Sequence, residues 1–160
     1  MMRFLVLLFL VAPAAQAAYD ANGIALGASE KTVTTQFPGA FCKPLQWTSQ
    51  AADRRCDDSK IVFGGVMSRI TFYLKQDRVQ AFDLRFESRD TERLVSFLKS
   101  RYGAPATETR DKDTKRGSDL TKLLWENGGE RAVLVSQNDK RRASLTVSRG
   151  AFEEEIYRVR

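Results

Sequence analysis

The sequence predicts an α+β fold: an antiparallel sheet of about six strands with two helices packed on one face, arranged as a tandem helix-plus-three-strand repeat. Three observations carry that expectation. Apolar and polar residues alternate over 70–75 and again over 82–87, the period of a strand with one buried face. Two other stretches, 30–37 and 91–102, space their apolar residues three and four apart, the period of a helix. The order helix, linker, three strands then occurs twice, over 24–87 and 88–148. Sliding 59–86 by 62 positions onto 121–148 matches Lys60 with Lys122, Phe63 with Trp125, Arg69 with Arg131, Asp77 with Asp139 and Ala81 with Ala143. Past the second turn the apolar phase slips by one residue, because Leu84 lands on Thr146 while Leu145 and Val147 carry the apolar side.

Residues 1–17 read as a cleavable export signal. Arg3 gives a charged start, residues 4–12 are apolar, and Ala15-Gln16-Ala17 is the small-x-small pattern of a cleavage site, which places the mature start at Ala18. Pro13 ends the apolar run after nine residues, whereas a bilayer span takes roughly twenty; a retained anchor is the alternative reading. No cysteine follows the cleavage point to carry a lipid, so the mature chain is expected to be water-soluble and periplasmic or secreted. Residues 18–160 are the size of one ordinary domain, and the full chain carries ten Phe, two Trp and four Tyr, eight of the Phe within 18–160, ample material for its core.

Within that domain, Ser29 is placed to cap a helix over 30–37, with Val33 and Phe37 on one face and Pro38-Gly39 as its stop. From 41 to 60 the chain reads as a loop closed by a Cys42–Cys56 disulfide, the simplest use of an isolated pair in an oxidising compartment. A closed loop of about fifteen residues stabilises a fold by about 3 kcal/mol in the chain-entropy model. A redox-active pair is the alternative, but its usual spacing is C-x-x-C at a helix start. Residues 61–63 form a short apolar run ended by Gly64-Gly65. The hairpin follows: Ile70, Phe72 and Leu74, a turn at Gln76-Asp77-Arg78, then Phe82, Leu84 and Phe86. Asp90 is placed to cap the second helix, whose stripe is Leu94, Phe97, Leu98 and Tyr102, and Gly103 with Pro105 stops it. Residues 107–119, charged and poor in apolar groups, read as an exposed mobile connection. Strand signals return at 123–125, 132–135 and 145–147, separated by turns at Asn127-Gly128 and Asn138-Asp139. The tail, 149–160, carries Phe152, Ile156 and Val159 on one side of a short helix.

With the helices and Ile70, Phe72, Leu84 and Leu134 sharing one core, the opposite sheet face presents Thr71, Tyr73, Asp83, Arg85, Val133 and Val135. Two readings of that face stand. It is an open aromatic and apolar surface for a partner, or it is packed under the tail.

Helix, loop and three strands, repeated, with Leu26-Gly27-Ala28-Ser29 opening the first helix and Tyr102-Gly103-Ala104-Pro105 closing the second, resembles exported proteins of the β-lactamase-inhibitor-protein-like group. The pattern is also similar to that of the small outer-membrane assembly lipoproteins. The resemblance covers most of the mature chain and implies a non-catalytic surface for binding protein, often on the exposed sheet face. This chain departs from it in lacking a lipid-bearing cysteine and in carrying cysteines only in its first half.

Function classes narrow further by subtraction. The chain contains no histidine, which removes Ser-His-Asp and Cys-His nucleophile systems and the usual His-containing zinc sites. No phosphate-cradling or dinucleotide glycine pattern is present, so no cofactor and no metal is expected. Formal charge is +6, of which Arg3 supplies one, leaving +5 on the mature chain and favouring acidic partners. The basic groups, among them Arg54-Arg55 and Lys140-Arg141-Arg142, lack the interleaved aromatics of a nucleic-acid groove. Carboxylate pairs at Asp57-Asp58 and Glu153-Glu154-Glu155 keep a glycoside hydrolase mechanism in play. The leading expectation is thus an exported, non-enzymatic binding module of the bacterial envelope recognising a protein or an anionic envelope polymer. The alternative is a carboxylate-based hydrolase of cell-wall glycans.

Overall fold

The computed structural model describes residues 19–156 apart from Thr114 and Arg116; the export signal expected at 1–17, with its expected cleavage point near Ala17, and Val159 lie outside that range. The architecture is mixed α+β, dominated by one antiparallel sheet of eight strands rather than six, with a two-stranded ribbon and three helices rather than two. A ribbon of β1 (Asp20–Ala21) and β2 (Ile24–Ala25) precedes α1 (Glu30–Gln36), where Ser29 caps by accepting the Thr32 amide hydrogen bond at 3.1 Å. Four strands follow: β3 (Phe41–Pro44), β4 (Arg54–Phe63), β5 (Val66–Lys75) and β6 (Arg78–Glu87). The second half repeats that order with α2 (Thr91–Tyr102), β7 (Thr107–Asp113), β8 (Ser118–Asn127), β9 (Glu130–Gln137) and β10 (Arg142–Arg149), and α3 (Phe152–Glu155) ends the described chain.

Each half is therefore a helix and four strands. The strand order β3-β4-β5-β6-β10-β9-β8-β7 joins the halves through their last strands, β6 against β10. The two additional strands, β3 and β7, are the sheet's edges. Segment 107–113, expected as a mobile connection, pairs along its whole length with β8, and the cysteine segment expected as a loop contains β3 and the start of β4. Both were hidden for one reason: an edge strand's pairing is made by backbone groups, and its side chains are free to be polar.

One face of the sheet is the core. Val33 of α1 with its C-cap residue Phe37, and Leu94, Val95 and Leu98 of α2, pack in a single cluster with Ile70, Phe72, Leu84, Leu134 and Leu145. Phe37 meets Phe72 edge-on at 5.2 Å, and Phe63 meets Phe97 at 5.3 Å. That last contact explains Gly64 in the β4–β5 turn: its φ is 56°, and a Cβ there would lie 2.6 Å from the Phe97 ring. Asp90 stands at the N-cap position of α2 but makes no side-chain cap. Thr91 anchors the helix start instead, donating to the Ser88 carbonyl at 2.7 Å and sharing a buried hydrogen bond with Ser136 at 2.8 Å. Gly103, at φ 82°, stops the helix and its amide returns to the Lys99 carbonyl at 3.0 Å.

The phase slip between the halves has a structural cause. In the β5–β6 hairpin Tyr73 opposes Ala81 but Leu74 opposes Val79, so Gln80 is an extra residue bulged out of β6. The β9–β10 hairpin holds one register throughout.

The cysteines form a Cys42–Cys56 disulfide between directly opposed residues of β3 and β4, fastening the edge strand to the sheet. No helix among the described residues is long and apolar enough to cross a membrane.

Candidate functional site

The site lies on the sheet face turned away from α1 and α2, and the strand registers assemble it. One row of directly opposed residues runs from edge to edge: Phe41, Asp57, Thr71, Asp83, Thr146, Val133, Leu124 and Thr107. The next row, two residues along each strand, holds Arg69, Arg85, Ser144, Val135, Lys122 and Thr109. On the other side lie Arg55, Tyr73, Ala81, Ser148 and Arg131. All six residues that alternation assigned to this face, Thr71, Tyr73, Asp83, Arg85, Val133 and Val135, therefore fall within three adjacent rows.

They do not share one environment. Tyr73 is only 8% exposed, because α3 folds back over its row and Phe152 packs on the Tyr73 ring at 5.3 Å. Ala51, Ala52, Ala81 and Ile156 complete this second apolar cluster, with Leu45 and Trp47 against it. The loop 45–52 clamps α3 from outside, since Trp47 Nε1 donates to the Ile156 carbonyl at 2.8 Å and Ser49 Oγ to the Glu155 carbonyl at 3.3 Å. Packing under the tail is thus the arrangement at Tyr73. Thr71, Val133 and Val135 are half-buried, and Arg85 is exposed.

Where the covered row meets the uncovered ones, a groove of about 440 Å³ opens. Phe152 and Glu153 of α3 and its C-cap residue Ile156 form one wall with Tyr73 behind them. Asp83, Ser144, Thr146 and Val135 form the floor, and Arg85, Arg142 and Gln137 stand at the far end. The wall was not legible in the hairpin sequence, because it comes from a segment more than sixty residues away.

The groove's polarity is organised around Asp83. Its carboxylate takes a hydrogen bond from Thr146 Oγ1 at 3.0 Å and pairs with Arg85 Nε at 3.0 Å. Burial nevertheless dominates and pushes the carboxyl above its ordinary value, while Arg85 and Thr146 pull it partly back. Asp57 is held in a parallel way, by Thr71 Oγ1 at 2.8 Å and by Arg55, whose Nε lies 2.9 Å away.

The carboxylate pairs read from the sequence separate in the fold. Asp57 lies on the groove face, whereas Asp58 turns to the helix side and accepts the Lys60 amide hydrogen bond at 3.0 Å. Of the three glutamates on α3, Glu153 lines the groove and Glu154 lines a shallow depression beside Glu126 and Glu130. The acids that share the groove are Asp83 and Glu153, a pairing with no adjacency in sequence to announce it. Glu30, Cys42 and Cys56 lie within 4.8 Å of one another, the spacing of a metal cluster, but both sulfurs belong to the disulfide and Glu30 receives Arg54 at 2.6 and 2.9 Å. That group offers no thiolate to an ion.

No protein-family model matches the sequence, and no curated protein matches it. Among solved structures the chain is similar to a DUF4309 family protein (YjgB) from Bacillus subtilis subsp. subtilis str. 168, at 12% identity and a TM-score of 0.41, over 79% of this chain and 82% of that one.

Proposed function

We propose that the mature chain is an exported, non-enzymatic binding module of the bacterial envelope, and that the groove beside α3 is where it takes hold of a protein or an anionic envelope polymer. The carrying observation is the groove itself, a concavity of about 440 Å³ with an aromatic wall at one end and Arg85 and Arg142 at the other. The leader at residues 1–17 and the Cys42–Cys56 disulfide support an oxidising destination, and the lack of histidine removes most acyl-transfer chemistry. The proposed likeness to β-lactamase-inhibitor-protein-like proteins and to the small outer-membrane assembly lipoproteins points the same way. Each half offers strands whose outer side chains face away from the helix.

A photo-reactive phenylalanine analogue placed at Gln137 in the groove, and separately at Lys31 on α1, tests this in the native host. One envelope component crosslinked from Gln137 and absent from Lys31 is the expected result; the same products from both positions would defeat the proposal.

A hydrolase reading retains one specific support. Asp83, with its raised carboxyl, and Glu153 share the groove, and such a pair can act as acid and base on a glycosidic bond. Purified protein that releases sugars from cell wall, and loses this on Asp83→Asn, would establish it instead.

A further inference from the structure

The ions of the outer face are unevenly satisfied. Its acids on the strands beside the groove are already engaged: Asp83 by Arg85 and Thr146, Asp57 by Thr71 and Arg55, and Glu87 by Arg89 at 2.9 Å and Arg141 at 3.8 Å, which leaves Glu153 on the α3 wall as the one groove-lining acid in no ion pair among the described residues. Three cations on the strands beside the groove are not. Arg142 at the groove mouth, and Arg69 and Lys122 at the two ends of the Arg85 row, are exposed and enter no ion pair among the described residues. The face thus holds spare positive charge, with Arg69 and Lys122 on one line across the strands and Arg142 one row beside it.

The same face also exposes large apolar side chains. Phe41 is 67% exposed in the Asp57 row, and Val62 and Met67, directly opposed, are 54% and 55% exposed. A polymer of phosphates or uronates would satisfy the cations but leave these groups and the Phe152 wall against water. A polypeptide bearing both carboxylates and apolar side chains satisfies both sets. Five strands separate Arg69 from Lys122 inclusively, four spacings of about 4.8 Å, so the row is about 19 Å long. An extended chain rises about 3.3 Å per residue and covers that length in about six residues.

We infer that the groove and the Arg85 row bind an acidic segment of a partner protein, about six residues long, with apolar side chains among its carboxylates, laid across the strands along the Arg85 row from Arg69 to Lys122, with the Phe152 wall on one flank and Arg142 on the other. This rests on the binding-module reading above and supplies its ligand class.

The experiment is fluorescence anisotropy of the mature protein, residues 18–160, with fluorescein-labelled hexapeptides alternating Glu with Leu, all Glu, or alternating Lys with Leu, and with unlabelled poly(glycerol phosphate) as competitor. Saturable binding of the Glu/Leu peptide, at least tenfold tighter than the other two, is expected. Arg69→Glu and Arg142→Glu should each weaken it about tenfold while leaving the thermal midpoint unchanged, since neither side chain holds the fold together. Failure of the Glu/Leu peptide to bind, indifference to Arg142→Glu, or equal binding of the all-Glu peptide or the phosphate polymer would each overturn the inference. Should the inference fail in this assay while Gln137 still crosslinks one envelope component in cells, the binding module stands and only its acidic-peptide ligand falls.

Discussion

Asp83 is the residue on which the electrostatics of the groove turn. Its proton is held more tightly in the folded state than in the unfolded chain, chiefly because burial disfavours the charge. The linkage sign follows: its contribution is most favourable below the ordinary value of 3.8 and is lost as pH rises through the higher folded pKa. Glu108 behaves oppositely. Lys99 first and Arg110 second hold its carboxyl below the usual range, so its share of stability is present at neutral pH and lost as pH falls. Asp83→Asn should therefore gain stability relative to the parent chain between about pH 3 and about pH 7, measured by urea unfolding at both; a constant difference would remove Asp83 from the account. Tyr102 gives a second residue-scale test. Burial, with the Asp20 charge next, pushes its hydroxyl up to about 12. Ultraviolet titration of the folded protein should show an ionisation near that pH that disappears in Tyr102→Phe, and persistence of the phase would contradict the buried placement.

Among the elements, α3 is short, and its hold on the sheet comes from Phe152 and Ile156 below it and from Trp47 and Ser49 above. A four-residue helix has little stability of its own, so it can undock without unfolding the sheet. Phe152→Ala should accordingly cost less than the ~3 kcal/mol or more usual for a fully buried Phe→Ala change, whereas Phe82→Ala, in the centre of the main core, should cost that amount. Urea unfolding of both variants, with Trp47 fluorescence followed separately, decides it: equal losses would mean that α3 is as integral as β6. How visible each element is in the sequence follows from the same physics. The β5–β6 hairpin and α2 show their periodicity because each buries one face and wets the other. The edges β3 and β7 show none, being held by backbone pairing and, in β7, by ion pairs such as Lys99 with Glu108 at 2.8 Å. The outer face was legible as a set of alternating residues. The groove was not, because its wall is α3 and its two acids, Asp83 and Glu153, meet only through the fold.

For the molecule as a whole, the decisive feature is that the two helix-plus-four-strand halves are joined through β6 and β10, the final strand of each. Leu145 and Val147 reach the shared core from β10, opposing Leu84 and Phe82. A chain ending at residue 140 would leave both β6 and β9 with unpaired edges in the middle of the sheet and no apolar row between them. Such a truncation should lose near-ultraviolet circular dichroism and cooperative unfolding while the full chain keeps both; a cooperative transition in the shortened protein would show that the halves stand alone.

Because the keystone strand follows the other seven in the sequence, the order of synthesis works against early completion. Whatever conveys this polypeptide, ribosome or translocase, releases seven of the eight sheet strands before the one that seals them together, so the nascent sheet keeps a vacancy at its centre, with the borders of β6 and β9 open to misplaced partners, until residues 142–149 slot home.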